Sequence, residues 1–265
     1  YGAAELSAYR NIFGLLPSLV ALWLSPRWHK SGRHLRVRQW RLICMRGLIV
    51  TLAQLMFYLS LSLIAFASAT TISYSSGLFM TAFAVLLLGE HVGFIRWGAV
   101  LIGFVGVTLV VGPGRETFTL ASLLPLGAAA LYALTGVTAR LIDEEVPSSL
   151  VNLYSTSVAV IGSVTLALFL GGFSLIQSAS DFAWIVTMGA FGGIAVLLLT
   201  LSYRMAEQSN LAPFSYFGIP MAFVLGWIFF GEAPIQDLFP GSILIIIGGV
   251  LIFLREHRQR KPSKR

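Results

Sequence analysis

Apolar residues run almost unbroken for about 18–24 positions at a time along this chain, and each run stops at a short polar turn. Nine runs reach the length that crosses a bilayer as a helix, at about 6–25, 41–60, 66–88, 94–111, 119–140, 148–171, 181–203, 209–230 and 237–254. The connections GPGRET (112–117), DEEVPSS (143–149) and GEAPIQD (231–237) are rich in turn formers and too short for a separate soluble domain. The pattern predicts an all-α, polytopic transmembrane helix bundle.

The runs repeat. An offset of 142 positions lays Gly89-Glu90 on Gly231-Glu232, Ser73-Tyr74 on Ser215-Tyr216, Gly47 on Gly189 and Gly106 on Gly248, with no gap from 43 to 109. The fifth run then opens the second copy, and its counterpart falls before Tyr1. The expected architecture is therefore an inverted repeat of five helices per half, with nine spans visible and the first helix of a ten-helix fold missing from the chain as given. Five is odd, so the copies cross the membrane in opposite senses, an arrangement known in transporters. The expected domains are 1–114, a first repeat lacking its first helix, and 115–265, a second repeat with a basic tail. The Gly-Glu pairs read as equivalent turns. Glycine tolerates the left-handed conformation that ends a helix, and Glu90 and Glu232 would favour the dipole of the next helix. A gating role for the two glutamates, by pairing with an arginine, is the alternative.

Composition agrees with a membrane setting. The chain is 57% hydrophobic and 11% charged, with a mean hydropathy of +0.83, where soluble domains carry about 25% charged residues. The net charge of +7 sits mostly in RWHKSGRHLRVRQWR (27–41) and in the tail from Arg255. Both flank apolar runs, which marks cytoplasmic span ends and the headgroups of membrane lipids rather than nucleic acid. Alternation puts Arg96, Arg140, Arg204 and the C-terminus on that same side. A single cysteine, Cys44, and scattered histidines exclude an internal disulfide and give no metal spacing. The opening YGAAELSAYR lacks the basic stretch of a cleavable signal peptide.

Several stretches carry a family resemblance: RG (46–47), ATTISYSSGLF (69–79), LLLGE (86–90), RWGAVLIGFVGVTLVVGPG (96–114), YRMAEQSNLAPFSYFGIPMAFVLGWIFFGE (203–232) and GSILIIIGGVLIF (241–253). On these motifs the chain resembles the EamA type of the drug/metabolite transporter superfamily over essentially its whole length. The resemblance implies a ten-helix carrier of small organic solutes in a bacterial inner membrane, with a central cavity between the halves. Leu78 stands where the family pattern has a proline, while its second-half equivalent Pro220 is present.

Candidate solute-binding residues follow from polar positions inside the spans. TTISYSSG (70–77) and APFSYFGIP (212–220) are matched interruptions, each centred on Ser-Tyr, and Pro213 and Pro220 remove backbone donors. Gly77 and Gly218 complete the predicted helix breaks. Residues three and four apart share a face, which groups Gly47, Thr51, Gln54 and Tyr58, then Thr70, Tyr74, Gly77 and Thr81, with Tyr132, Tyr203 and Tyr216 on other spans. The substrate-binding set is Gln54, Tyr58, Thr70, Tyr74, Tyr132, Tyr203 and Tyr216. Small and hydroxylated residues also mediate plain helix packing, the competing reading for Gly103, Gly106, Gly189 and Gly193. Arg10 and Arg46 read as interfacial anchors, with Arg46 snorkelling to the cytoplasmic surface, or else as groups that meet a carboxylate or phosphate.

No Asp, Glu or Lys falls mid-span, which favours facilitated diffusion or exchange over proton coupling. The expected function is a secondary transporter working by alternating access on an amino acid, a nucleoside-like molecule or a vitamin-like aromatic compound. No catalytic residue and no cofactor is expected, since GxSxG, HExxH, paired Asp and CxxC are all absent from the sequence. A non-transporting scaffold or receptor, and more remotely a membrane-embedded enzyme, are the alternatives.

Overall fold

In the computed structural model the chain is described at residues 1–30, 32, 35–89, 93–111, 119–205, 218–231, 239–247 and 250–251. Among these there is no strand, and each of the nine apolar runs carries helix. The α-helices are α1 (Ala3–Trp23), α2 (Pro26–Lys30), α3 (Trp40–Leu61), α4 (Phe66–Ser73), α5 (Ser76–Leu88), α6 (Phe94–Val111), α7 (Leu123–Ala139), α8 (Ser148–Leu170), α9 (Ala179–Met205) and α10 (Gly218–Phe230). Residues 241–247 are also helical. Five helical segments among the described residues are long and apolar enough to cross a membrane: Trp40–Leu61, Phe66–Leu88, Leu120–Ala139, Ser148–Leu170 and Ala179–Met205.

Two features of the punctuation are visible. α5 ends at Gly89 with φ +66° and α10 ends at Gly231 with φ +65°, so both copies stop on the same left-handed cap. Glu90 and Glu232 lie outside the described residues. The third apolar run is split where TTISYSSG predicts a break. α4 closes with the Tyr74 N–H donating to the Thr70 and Thr71 carbonyls, and α5 restarts after Ser75.

The helices gather into two compact units, each drawing on both halves of the sequence. Unit 1 holds 1–59 and 138–205; unit 2 holds 60–137 and 206–265.

In unit 1, α1 runs antiparallel to α8: Asn152 Nδ2 near the start of α8 donates to Ser18 Oγ (2.8 Å), and Asn11 Nδ2 meets Ser163 Oγ (3.2 Å). α3 runs with α8 and against α9, since Ser155 Oγ reaches the Ile43 carbonyl and Tyr58 near the end of α3 reaches Met188 near the start of α9. Backbones approach closely through glycine. A Cβ on Gly47 would meet the Ser155 carbonyl at 2.5 Å and Val158 of α8. One on Gly189 would strike Phe13 and meet the Arg10 carbonyl of α1 at 3.3 Å. Gly47 and Gly189 are 142 positions apart, and so are Phe13 and Ser155. The two contacts are thus one contact made twice.

In unit 2, Phe66 and Phe230 lie 5.6 Å apart at one end of α4 and α10, while Tyr74 meets Gly218 at the other. A Cβ on Gly106 of α6 would meet the Gly241 carbonyl at 2.6 Å, and one on Gly241 would meet Val110. Both pairs are antiparallel, and α6 and the helix at 241–247 are repeat equivalents under the offset of 142. The core here is Ala67, Ile72, Leu78, Ala99, Val100, Val107, Val110 and Ile245. Leu78, in place of the family's proline, keeps its side chain fully buried against Gly103. Outward faces carry large exposed apolar side chains such as Trp184, Phe191 and Phe229, as a lipid-facing surface does.

One end of unit 1 collects the segment 25–39, the turn at 141–148 and Arg204. Gln39 bonds the Leu141 carbonyl and the Asp143 N–H, Tyr154 bonds the Leu35 carbonyl, and Arg204 bonds the Asp143 and Val146 carbonyls and Ser148 Oγ. The other end is acidic. Glu5 accepts from Gly2 and Ser174, and Tyr1 donates to Asp181.

Gly47→Val forces a branched side chain into the α8 backbone and is expected to destabilise by about 1–3 kcal/mol. Gly98→Ala, with nothing within 4 Å of its added methyl, should stay within about 0.5 kcal/mol. Thermal unfolding in detergent of the two variants checks this; equal midpoints would refute the α3–α8 contact.

Candidate functional site

The helix faces that bear the sequence candidates differ in what they meet. On α3, Gly47 and Thr51 press on α8, with the Thr51 hydroxyl donating to the Gly47 carbonyl and within 3.5 Å of the Ala159 carbonyl. Gln54, one turn on, turns toward α1. Its Oε1 accepts from Asn11 Nδ2 (2.7 Å) and from Ser7 Oγ (3.3 Å). The residue is 2% exposed. A mid-span amide needs such partners, because hydrocarbon offers none.

Beside this cluster lies a cavity of about 20 Å³, room for one water. Arg10, Asn11, Gly14, Gln54, Gly192 and Val196 are among its lining residues. The Arg10 side chain crosses the face of Gly192, whose added Cβ would meet Nε at 2.8 Å, and it acts electrostatically on Tyr58. The Tyr58 hydroxyl lies 3.8 Å from the Met188 sulfur. A second polar set stands nearer the basic end. Asn152 Nδ2 donates to Ser18 Oγ, and Thr200 Oγ1 donates to Asn152 Oδ1 at 3.4 Å.

Arg46 does not behave as an anchor. The seventh residue of α3, it starts about 9 Å in from the helix end at 1.5 Å per residue. Its side chain stays largely inside unit 1, 3% exposed, rather than extending into the surface as a snorkelling cation does. Nε and Nη1 are buried without a hydrogen-bond partner. Tyr203 of α9, a sequence candidate, lies in the same electrostatic neighbourhood.

In unit 2 the helix break supplies the other candidates. The Thr70 hydroxyl folds back to the Phe66 carbonyl (2.7 Å), and Gly77 donates weakly to the Tyr74 carbonyl (3.4 Å). The Tyr74 ring and hydroxyl rest directly on Gly218, where α10 begins, leaving no room for a Cβ. The first-half break and the start of the second-half helix therefore touch. Tyr132 is half-buried on α7. Pro220 lies in the first turn of α10. Pro213 and Tyr216 lie outside the described residues. The structure thus unites Gln54 with Tyr58 near Arg10, places Tyr203 by Arg46, and joins Tyr74 to Gly218.

Sequence reading does not single out Ser7, Asn11, Asn152 or Ser163 as site residues. Their signal is nonetheless present: amides and hydroxyls recur at helical spacing on one face, as Ser7, Asn11 and Ser18 on α1 and Asn152, Ser155 and Ser163 on α8. Among the described residues no group of three His, Cys, Asp or Glu is placed to hold a metal ion.

Known proteins share this sequence pattern and this fold. A family model described as the EamA-like transporter family matches residues 1–112 and 119–254. A riboflavin transporter from Rhizobium johnstonii is 30% identical over 252 residues, which covers 94% of this chain and 79% of that protein. An S-adenosylmethionine uptake transporter from Rickettsia bellii is 26% identical over 216 residues, covering 81% of this chain and 72% of that protein. A solved crystal structure superposes with a TM-score of 0.70 at 20% identity, covering 98% of this chain and 90% of that one, and so shares the fold.

A double-mutant cycle on Asn11→Ala and Gln54→Ala should return a coupling of about 0.6–2 kcal/mol, the range found for buried polar pairs in membranes. Thermal or denaturant unfolding of the four proteins measures it. Strictly additive effects would mean that the 2.7 Å bond contributes nothing.

Proposed function

Because the chain belongs to the EamA-like transporter family, we propose that it is a secondary carrier that moves a ring-bearing metabolite by alternating access. Its relatives are transporters of small metabolites, and it is a multi-pass membrane transporter rather than an enzyme. The observation that supports the mechanistic reading is the antiparallel packing of repeat equivalents within each unit, α1 on α8 and α6 on the helix at 241–247. Where two copies of one fold cross in opposite senses, exchanging their conformations turns a site from one face of the membrane to the other. On this reading the copies are 1–114 and 115–265.

The substrate class is read from the relatives and the tyrosines together. Riboflavin and S-adenosylmethionine share a fused nitrogen-containing ring bearing a hydroxylated chain or sugar. Tyr58, Tyr74, Tyr132, Tyr203 and Tyr216 supply aromatic faces for such rings along the solute path, and Gln54 and Thr70 supply polar groups. Gly77, Pro213, Gly218 and Pro220, with Glu90 and Glu232, are the gating residues of this reading. With no acidic or lysine side chain mid-span, movement is by facilitated diffusion or exchange. The basic end of unit 1 and the basic tail support a cytoplasmic C-terminus, in a bacterial inner membrane, as part of this reading.

Counterflow in proteoliposomes tests the proposal. Vesicles loaded with unlabelled riboflavin or S-adenosylmethionine should accumulate the labelled solute without an ion gradient and without chemical change. Binding without flux would make the protein a receptor, and conversion would make it an enzyme; either sinks the reading. Tyr74→Ala and Tyr132→Ala should each raise KM about tenfold, the equivalent of about 1.4 kcal/mol of lost stacking.

A further inference from the structure

Among the described charged side chains buried in unit 1, Arg46 is the one with nitrogens that lack an acceptor. The residue is 3% exposed, and Nε and Nη1 have no acceptor. The described groups that act on it electrostatically are Arg204, a like charge, and Tyr203, a neutral hydroxyl. No carboxylate appears among them. Arg204 donates to the Asp143 and Val146 carbonyls and to Ser148 Oγ, which hold its guanidinium in place on the basic side of Arg46. Two guanidinium groups thus raise the potential in a low-dielectric interior where a lone buried cation is strongly disfavoured. Gly47, the next residue on α3, fixes the approach of α8 and denies Arg46 a way out by shifting its helix.

We propose that Arg46 is an oxyanion-recognition residue, and that the transported solute carries a carboxylate or a phosphate beside its ring. This inference rests on the carrier reading above. A guanidinium offers a planar fork of donors that fits either oxyanion in a bidentate manner. The solute's anion supplies the charge the protein lacks, so occupancy removes a penalty that the empty protein bears. Tyr203 stands beside the guanidinium to contact the adjoining part of the solute. The proposal separates the chemistries of the two relatives. Riboflavin has no anionic group, whereas S-adenosylmethionine has a carboxylate, and this chain's site fits the second kind.

The experiment uses the full chain in proteoliposomes with two solute pairs. Riboflavin is compared with riboflavin 5′-phosphate, and S-adenosylmethionine with its decarboxylated analogue. The wild type should favour the oxyanion member of one pair by about tenfold or more in KM, and the pair that responds tells phosphate from carboxylate. Arg46→Gln should abolish that preference, and Arg46→Lys should keep part of it. In the absence of solute, the thermal midpoint of Arg46→Gln should equal or exceed that of the wild type, because an uncompensated buried charge has been removed. A fall of several degrees would assign Arg46 a structural role and overturn the proposal. So would a wild type that moves the oxyanion-bearing and oxyanion-lacking members of both pairs equally, although the carrier reading would then survive. Flux of no member in either pair would remove the carrier reading itself, and the proposal with it. A measurement without variants tests the same point. The midpoint of wild-type protein in detergent should rise with the oxyanion member and stay unmoved with the partner that lacks the oxyanion; equal shifts with both would overturn the proposal.

Discussion

Close approach of helix backbones through glycine is the constraint on which the rest of this structure depends. Lipid tails are as apolar as leucine, so burying side chains between helices gains little from the hydrophobic effect inside a bilayer. Association must come from dense contact and from polar groups that find each other. Gly47 against Ser155, Gly193 against Gly14, and Gly106 against Gly241 provide the first. Each brings backbone atoms within reach that any side chain would hold apart. Asn11 with Gln54 and Ser163, and Asn152 with Ser18, provide the second. Removing a glycine separates the helices, and separated helices strand the amides, so the two kinds of contact stabilise each other.

A repeated scaffold does not imply repeated chemistry. Under the offset of 142, Gly47 maps on Gly189 and the cap Gly89 on Gly231, but Arg10 maps on Asn152, Arg46 on Met188, Gln54 on Val196 and Tyr203 on Leu61. Residues that set backbone geometry are retained between the copies; several that bear charge or hydrogen-bonding capacity are not. The Asn11–Gln54 cluster and the Asn152–Ser18–Thr200 cluster accordingly sit on pseudo-equivalent helix pairs with different partners.

This division also explains what can be read from the sequence. Hydropathy marks the helical runs because a span needs a minimum length of apolar residues whatever its neighbours are. The left-handed caps at Gly89 and Gly231, and the break at Tyr74, are legible because local backbone chemistry decides them. The Gly47-Thr51-Gln54-Tyr58 stripe is legible as a face, yet periodicity names no neighbour. Gly47 and Thr51 meet α8, while Gln54 turns to α1. Arg46 misleads for the same reason. Its distance from the span end permits snorkelling, and only the packing of α8 and α9 around it keeps the head inside. Asn152 escapes notice because a single amide near a span end looks ordinary until Ser18 and Thr200 are known to surround it.

Asymmetry on a symmetric frame has a mechanistic consequence. If the copies were chemically identical, the inward-open and outward-open states would bind solute alike and hold it with equal strength. The arginines break that degeneracy. Arg46 lies toward the basic end of unit 1 and Arg10 toward the acidic end, on helices that run in opposite directions. On the carrier reading proposed above, a solute bearing an oxyanion meets one guanidinium whose buried Nε and Nη1 lack a partner and another bordering a water-sized cavity. The two encounters differ in desolvation, and so they differ in affinity. A ligand shifts an equilibrium between two states only by its differential affinity for them, and these two positions are where this chain has the means to create one.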